Sequence, residues 1–515
     1  KDTGRLYDDL FLRRWNHYYD GKVSQLYVSD LQGKSRRVSD RFLSDKGQPR
    51  DALATSATYG FGDGFCYSAD GTALFFSAPP ARGQAYQTNY DVYRLDLKSG
   101  AVSNLTPDNP AADLGPILDA ARGKLYIVSH QRPGYESDFG QLRSCPVSPA
   151  GVPQGKWTVE PLGAGEGLGD VQVLDNGDLL YSRNLGARNK VFRRNLQGQV
   201  TPLELPGSVA HVSATSSQWS VIQSSLDTPP RVLWGSWNQP QWKALGSGQP
   251  WKLGKVESLQ VAVEKASMQM WLIKPPNYTA EKRWPLVYMI HGGPQGGWND
   301  SWSLRWNPQV WAAQGYLVAM PNPRGSSGQG TAFQEGVSRD WGGLAYRDLM
   351  KGVDELEARP DVDPKKIAAV GASYGGYMVN WISVNTGRFC ALMTHCGLWN
   401  LESMYGTTDE LWFTDWEFGG PPWGPNRPVD YDRFSPHSRA HELARHRTPH
   451  LVIHNDLDYR CPIDQGLQLF TALQRQGVES QFLNFPDEGH WVLKPANSLR
   501  WHTEVFRFLG RHLGG

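Results

Sequence analysis

The stretch Ile367-Ala368-Ala369-Val370-Gly371-Ala372-Ser373-Tyr374-Gly375-Gly376 decides the fold of the second half of this sequence. Four apolar residues of strand type lead directly into G-x-S-x-G, and residues 377–384 continue with a helical pattern. In this setting the glycines relieve crowding, so that the hydroxyl of Ser373 projects from a sharp turn at the head of the helix. The sequence therefore predicts that Ser373 is a nucleophile. A glycine-rich turn with a solvated serine is the alternative, but it does not explain the motifs that follow.

Short apolar runs alternate with helical segments on both sides of this turn. The runs are typical of strands buried in a parallel sheet, and they lie at residues 285–290, 317–320, 367–370, 391–393 and 451–453. Helical patterns at residues 346–358 and 464–476 stand between them. We therefore predict a doubly wound, mostly parallel α/β domain over residues 251–515.

Residues 1–250 carry a different pattern of short β-type runs divided by turns. One unit recurs from near residues 25, 91, 141, 190 and 232, at separations of 42 to 66 residues. Repeats of roughly 40 to 50 residues with several strands each are typical of propeller blades. Asp70-Gly71 and Asn176-Gly177 predict hairpin turns between strands. We predict an all-β propeller with about five countable blades, an unrelated β-sandwich being the alternative, and a domain boundary near residues 246–250.

The composition excludes several classes of protein. The chain has 515 residues, with 52 Lys and Arg against 51 Asp and Glu, and no run of like charges, so we expect no nucleic-acid partner. No apolar stretch approaches the roughly 20 residues of a membrane helix, so we expect no membrane span. The five Cys form no C-x-x-C pair, and residues 324–330 spell no phosphate-binding fingerprint. We therefore expect no metal and no cofactor. The oligomeric state is not predicted.

Two later loops supply the partners that a nucleophilic serine requires. The loop after residues 451–453 contains Asp456 and Asp458, and the loop after residues 481–485 contains His490. This is the Ser, Asp, His order of α/β hydrolases, so we predict that His490 is the base. Local chemistry leaves Asp456 and Asp458 almost equal as its partner. Asp487 and Glu488 are expected to be solvated loop charges.

A tetrahedral intermediate also requires two hydrogen-bond donors for its oxyanion. The backbone N–H of Tyr374, directly after the nucleophile, is the first predicted donor. The second is expected from His291-Gly292-Gly293-Pro294, which follows the strand at residues 285–290. Glycines allow close backbone approach there, and we favour the N–H of Gly293. A plain glycine turn is the alternative.

Taken together, the motifs at residues 291–294, 322–328, 371–377 and 458–462 resemble the prolyl oligopeptidase family of serine peptidases. Residues 403–410 and 485–495 are most similar to its dipeptidyl peptidase 5 branch. The resemblance implies a triad of Ser373, Asp458 and His490, a propeller that gates substrate size, and dipeptides released from the free amino termini of oligopeptides. An acylaminoacyl peptidase or an oligopeptidase or esterase with the same triad is the alternative. A binding module with an inert hydrolase domain is disfavoured because every triad member is present.

Two departures from the family pattern accompany the resemblance. Cys461 stands where the family usually has Val, and family propellers usually have seven or eight blades. The opening residues 7–15 look like a segment from inside such a propeller. We therefore expect either that the first blades are missing from this sequence or that the propeller is unusually small. The acid that would hold the substrate's amino group is not identified.

Two further expectations concern specificity and location. An aromatic and apolar set near the site indicates a pocket for an apolar or small side chain, with core packing as the alternative; its members are Trp399, Met404, Tyr405 and Trp412. The first residue is Lys1 rather than Met, so we expect a processed or trimmed chain. A periplasmic or secreted location is expected, with the cytoplasm as the alternative.

Overall fold

The computed structural model describes residues 3–52, 64–163, 165–239, 241–245 and 251–514. The predicted boundary at residues 246–250 lies outside the described residues. The first half of the chain contains twenty short strands in the described part. They are β1 (Arg13–Arg14), β2 (His17–Tyr18), β3 (Tyr27–Ser29), β4 (Ser35–Arg37), β5 (Phe65–Tyr67), β6 (Ala73–Ala78), β7 (Asp91–Asp96), β8 (Val102–Asn104), β9 (Asp113–Asp119), β10 (Lys124–Ser129), β11 (Gln141–Pro146), β12 (Thr158–Val159), β13 (Glu166–Val173), β14 (Leu179–Asn184), β15 (Asn189–Arg194), β16 (Val200–Leu203), β17 (Ser208–Ala214), β18 (Gln218–Ser225), β19 (Thr228–Ser236) and β20 (Trp242–Leu245).

These strands form antiparallel sheets of nearest neighbours. Strands β5 to β20 give four successive four-stranded sheets, and β1–β2 and β3–β4 are two-stranded. The recurring unit of the sequence falls at β3, β7, β11, β15 and β19, and in each four-stranded sheet it is the third strand. The repeat therefore marks the same structural position in successive blades.

Successive sheets pack face to face through shared apolar clusters. Tyr126 and Val128 of β10 are buried against Tyr181 of β14 and Phe192 of β15. Leu180 of β14 belongs in turn to a cluster that includes residues of the next sheet. This packing of one small sheet on the next is that of a β-propeller, as predicted.

The second half is built on one eight-stranded sheet. Its strands are β21 (Val256–Val263), β22 (Ala266–Ile273), β23 (Trp284–Ile290), β24 (Leu317–Pro321), β25 (Val362–Ala372), β26 (Ala391–His395), β27 (His450–Asn455) and β28 (Ser480–Phe485). The order across the sheet is β21-β22-β24-β23-β25-β26-β27-β28. Six neighbouring strands run parallel to one another: β24, β23, β25, β26, β27 and β28. Strand β22 pairs antiparallel with β24 on one side and with β21 on the other.

Helices cover both faces of this sheet. They are α1 (Pro308–Ala312), α2 (Thr331–Glu335), α3 (Leu344–Glu357), α4 (Tyr374–Ser383), α5 (Leu401–Thr407), α6 (Leu411–Phe418), α7 (Asp430–Arg433), α8 (Leu443–His446), α9 (Ile463–Arg475) and α10 (Pro495–Leu509), with a 3-10 turn at Pro436–Glu442 and a π-turn at Gly510–Gly514. All seven residues of β23 are buried. Leu286 and Tyr288 pack in one apolar cluster and Val287 and Met289 in another. A strand with two covered faces explains its unbroken apolar sequence.

The predicted fold class, a β-propeller followed by a doubly wound α/β domain, is confirmed. The turns that carry the predicted site follow the carboxyl ends of β23, β25, β27 and β28. In open parallel sheets this edge is where ligands bind. Among the described residues, no helix is both long and apolar enough to cross a bilayer.

Candidate active site

Ser373 occupies the sharp turn between β25 and α4. Its backbone is strained, with φ 58° and ψ −124°, values rarely adopted by residues with a side chain. The neighbouring glycines make this turn possible: a Cβ on Gly371 would lie 2.3 Å from the Gly375 carbonyl oxygen, and one on Gly375 would lie 2.2 Å from that of Ile290. The helix can therefore begin immediately at Tyr374, three residues earlier than the sequence pattern indicates.

His490 and Asp458 are hydrogen-bonded to each other. His490 Nδ1 lies 2.7 Å from Asp458 Oδ2, and both side chains are buried. The second oxygen of Asp458 accepts the backbone N–H groups of Arg460 and Cys461, at 3.1 and 2.9 Å. Burial raises the pKa of Asp458, but the charge and hydrogen bond of His490 outweigh it and leave the pKa below its usual range. A carboxylate in this position fixes the imidazole tautomer whose Nε2 is free to accept a proton.

Asp456, the other candidate for the third member, faces away from His490. Its exposed carboxylate accepts a hydrogen bond from Asn484 Nδ2 at 2.7 Å. The expectation for the loop acids is correct for Asp487, which is exposed and pairs with Lys494, but wrong for Glu488. The Glu488 carboxylate is buried and accepts the N–H groups of Leu493 and Lys494, because these groups precede α10 and have no helical partner.

The two predicted oxyanion donors belong to segments that lie next to Ser373. Tyr374 N is the first backbone nitrogen of α4, and the phenol of Tyr374 donates to the carbonyl of Trp341 at 2.8 Å. The loop after β23 also lies against Ser373: a Cβ on Gly292 would lie 3.1 Å from the Ser373 Cβ, and Gly293 has φ 124°. Both glycines line the same cavity as Ser373. A bulkier residue in this loop would exclude a carbonyl oxygen from the site.

One cavity of about 330 Å³ contains this machinery. Its wall residues are Ile290, His291, Gly292, Gly293, Gly297, Trp298, Ser303, Arg305, Trp306, Ala372, Ser373, His395, Arg460, His490, Trp491, Val492, Ser498, Trp501 and His502. Burial lowers the pKa of His291 to about 4. Burial, with the nearby charges of His490 and His454, lowers that of His395 to about 3. Both imidazoles are therefore neutral and hydrogen-bonded within the fold. His291 Nε2 lies 2.8 Å from Ser326 Oγ, and His395 Nδ1 accepts the indole N–H of Trp501.

Glu417 of α6 binds the segment that follows the glycine loop after β23, a contact that sequence reasoning missed. Its buried carboxylate accepts from Gln295 Nε2 at 2.8 Å, Ser338 Oγ at 3.1 Å and Trp341 Nε1 at 2.7 Å. Burial raises its pKa to about 7, against the effect of those three hydrogen bonds. Gln295 follows the glycine loop, and Trp341 accepts the hydroxyl of Tyr374. Helix α6 carries two acids among apolar residues, Asp415 and Glu417, and its sequence does not indicate that Glu417 is the buried one.

Trp15 reaches the site from the start of the described chain. In the described residues, the two short strands beside it, Arg13–Arg14 and His17–Tyr18, pair with each other. The indole of Trp15 packs edge-on against His490 and Trp491, with ring centres 6.2 and 5.2 Å apart. Arg460 lies over the same indole at 4.7 Å. No local sequence pattern predicts so distant a contact.

A group of three carboxylates surrounds Arg460 behind the cavity wall. Glu410 forms an ion pair with the guanidinium, and Asp409 accepts the backbone N–H of Trp15 at 2.5 Å. Glu136, from the loop between β10 and β11, is half-buried. Burial raises the pKa of Glu410; Arg460 opposes the rise, and the charges of Glu136 and Asp409 add to it. The buried Oδ1 of Asp409 has no hydrogen-bond partner in the described part of the chain. We call Glu136, Asp409 and Glu410 the acid group.

The residues expected to form a specificity pocket are buried in the main apolar cluster of the second half: Trp399, Met404, Tyr405 and Trp412. None of them lines the cavity that contains Ser373. Trp412 Nε1 donates to Glu136 at 2.8 Å, and Tyr405 donates its hydroxyl to Asp415 at 3.0 Å. This placement favours the packing alternative.

In the described residues, two groups of three buried side chains have possible metal-ligand atoms within 4.8 Å of one another. Both groups include Asp458. One adds Cys396 and His454, and the other adds Cys461 and His490. The oxygens of Asp458 already accept hydrogen bonds from His490 and the loop backbone. These groups therefore give no argument for a metal. Cys461 Sγ lies 4.0 Å from Ser373 Oγ, so this departure from the family pattern borders the predicted nucleophile.

Comparison with known proteins gives one consistent result. Residues 302–515 match the sequence pattern of the "Prolyl oligopeptidase family". The dipeptidyl-peptidase 5 of Aspergillus oryzae is 32% identical over 557 residues, which cover 99% of this chain and 74% of the relative. That of Arthroderma otae is 32% identical over 551 residues, with 99% and 73% covered.

Solved structures share the fold at lower identity. The acylaminoacyl peptidase of Pyrococcus horikoshii superposes with a TM-score of 0.81 at 19% identity, over 99% of this chain and 78% of that one. Dipeptidyl peptidase 4 of Porphyromonas gingivalis gives 0.69 at 16% identity, over 96% and 80%. Both likenesses concern the fold alone.

Proposed function

The chain belongs to the prolyl oligopeptidase family and is a serine peptidase, and from this premise we propose that it releases dipeptides from the free amino termini of oligopeptides. In this proposal Ser373 attacks the carbonyl carbon of the second peptide bond. His490 takes the proton of the hydroxyl and gives it to the leaving amine as the peptide bond breaks, while Asp458 orients the imidazole. This leaves the dipeptide as an ester of Ser373; a water molecule, deprotonated by the same imidazole, then attacks that ester, releases the dipeptide and returns the proton to the serine hydroxyl. The N–H groups of Tyr374 and Gly293 donate to the oxyanion. The hydrogen bond between His490 and Asp458 supports these roles.

The proposal that dipeptides are released rests on the acid group. Arg460, which lines the cavity, faces three carboxylates and lowers the pKa of Glu410, but burial and the charges of Glu136 and Asp409 outweigh its effect. A cation brought to this place would lower the electrostatic cost of keeping those carboxylates ionised. The α-ammonium group of a substrate has the required charge, whereas an acetylated amino terminus does not. Glu136 and Asp409 are both half-buried, and we assign Glu136, which comes from the propeller loop between β10 and β11, to contact the ammonium group.

The test compares free and acetylated forms of one dipeptidyl p-nitroanilide. We expect kcat/KM to be at least about tenfold higher for the free amine, equivalent to roughly 1.4 kcal/mol of transition-state binding. Glu136→Gln should reduce this preference, whereas Glu204→Gln, at an exposed position of the propeller, should leave it unchanged. If the acetylated substrate is cleaved equally well, the proposal gives way to an acylaminoacyl peptidase or an oligopeptidase.

A further inference from the structure

Arg305 is a cation without a counter-charge in the wall of the catalytic cavity. It lies between β23 and α1, and its guanidinium packs over the Trp491 ring at 4.3 Å. Within the described residues, its side chain forms no ion pair and donates no hydrogen bond. The side chain is exposed, so its guanidinium is accessible to an anion that enters the cavity from solvent.

The remaining wall of the cavity is also free of acids. The residues that line it include two arginines and four histidines but no Asp or Glu. Arg460 is already paired with Glu410, and the lowered pKa values of His291 and His395 keep these rings neutral. Arg305 is thus the uncompensated charge among the lining residues. An anion entering this cavity would gain a partner that the protein itself does not supply.

The position of Arg305 indicates which part of a substrate would supply that anion. His490 must protonate the leaving amine, so the leaving peptide has to lie beside the imidazole. Trp491 and Val492 continue the wall directly from His490, and Arg305 lies on Trp491. Arg460 and the acid group adjoin the other loop, which follows β27. In the proposed function, that side of the cavity binds the amino-terminal part of the substrate. A short leaving peptide ends in a carboxylate on the side of Arg305.

We propose that Arg305 binds the terminal carboxylate of the leaving peptide, so that preferred substrates are short peptides ending one or two residues beyond the cleaved bond. A guanidinium matches a carboxylate with two parallel hydrogen bonds, and it does so more closely than an ammonium group. A cavity of about 330 Å³ is at the small end of the roughly 300–1,000 Å³ of ligand sites, which suits a leaving group of this size. The inference rests on the proposed function, because that function fixes which bond is cleaved.

The test measures kcat/KM for tri- and tetrapeptides with a free carboxylate and for the same peptides with a carboxamide. For the native enzyme we expect the acids to be cleaved about tenfold faster than the amides, as the loss of one charge-assisted pair predicts. In Arg305→Gln this ratio should fall to about one, and Arg305→Lys should keep part of the preference for the acids. Arg475→Gln, at an exposed position on α9, is the control and should leave the ratio as it is.

Equal cleavage of acids and amides by the native enzyme would overturn the proposal. So would a ratio that survives in Arg305→Gln, since the preference would then come from elsewhere. An equal loss on acid and amide in that variant would mean that Arg305 only supports Trp491. Product analysis separates the two proposals: release of units other than dipeptides would refute the proposed function, and the comparison of acid with amide at the bond actually cleaved would still decide the role of Arg305.

Discussion

A serine hydroxyl becomes a useful nucleophile only when a neighbouring base removes its proton during attack. Ser373→Ala and His490→Ala should therefore each reduce kcat by several powers of ten with folding intact, because the two residues act as a unit. Circular dichroism and thermal unfolding would verify the fold. Near-native turnover in either variant would contradict the assignment.

The two aspartates of the loop after β27 provide an internal comparison. Asp458→Asn should reduce activity about as severely as loss of the base, because the amide cannot fix the same imidazole tautomer. Asp456→Asn should be nearly silent, since that side chain is exposed and bonds to Asn484. Steady-state kinetics of the two variants would decide the matter, and the reverse outcome would make Asp456 the third member.

The acid group predicts a difference between two pH profiles. Burial raises the pKa of Glu410, so its carboxyl becomes ionised, and able to attract an ammonium group, only as the pH rises through that raised value. The acidic limb of kcat/KM should therefore lie at higher pH for a free dipeptidyl substrate than for its acetylated form, which has no ammonium group for the carboxylate to attract. Coincident limbs would exclude the acid group from amine binding.

At the scale of the element, the turn from β25 into α4 depends on glycine for space. Gly375→Ala would place a methyl group 2.2 Å from the Ile290 carbonyl oxygen, so we expect a loss of several kcal/mol in unfolding free energy together with lower activity. Gly406→Ala is the matched control. Gly406 lies in α5 with nothing within 4 Å of its Cβ position, so the change should stabilise by about 0.5–1 kcal/mol. Denaturant unfolding of both variants tests the pair.

The same turn shows why part of the site was predictable. G-x-S-x-G encodes a local backbone shape, and the apolar runs before it encode buried parallel strands, so Ser373 and its helix follow from adjacent residues. The choice of Asp458 over Asp456 needed a family resemblance, because it depends on which way a loop faces. Glu417, Trp15 and Glu136 act across contacts between distant segments, and no spacing rule in the sequence specifies such contacts.

At the scale of the whole molecule, Asp300 connects the two halves of the chain. Its buried carboxylate accepts the N–H of Leu226 at 3.1 Å and Arg188 Nε at 3.0 Å. Asp300→Ala would leave a buried N–H without a partner, at a cost of roughly 1–3 kcal/mol. We expect a lower thermal midpoint and less cooperative unfolding, measured by calorimetry, whereas Asp300→Asn should retain part of the stability. An unchanged unfolding curve for Asp300→Ala would show that this link carries no stability.

The contact of Trp15 with His490 determines when the site can form during synthesis of the chain. During synthesis the chain emerges from its amino terminus, and the segment around Trp15 is available long before its partners have been translated. The wall beside the base can form only after the loop that bears His490 has left the ribosome, because Trp15 packs on that loop. A nascent chain therefore remains without proteolytic activity until the loop that bears His490 has been made and has met the segment around Trp15, which was translated long before it.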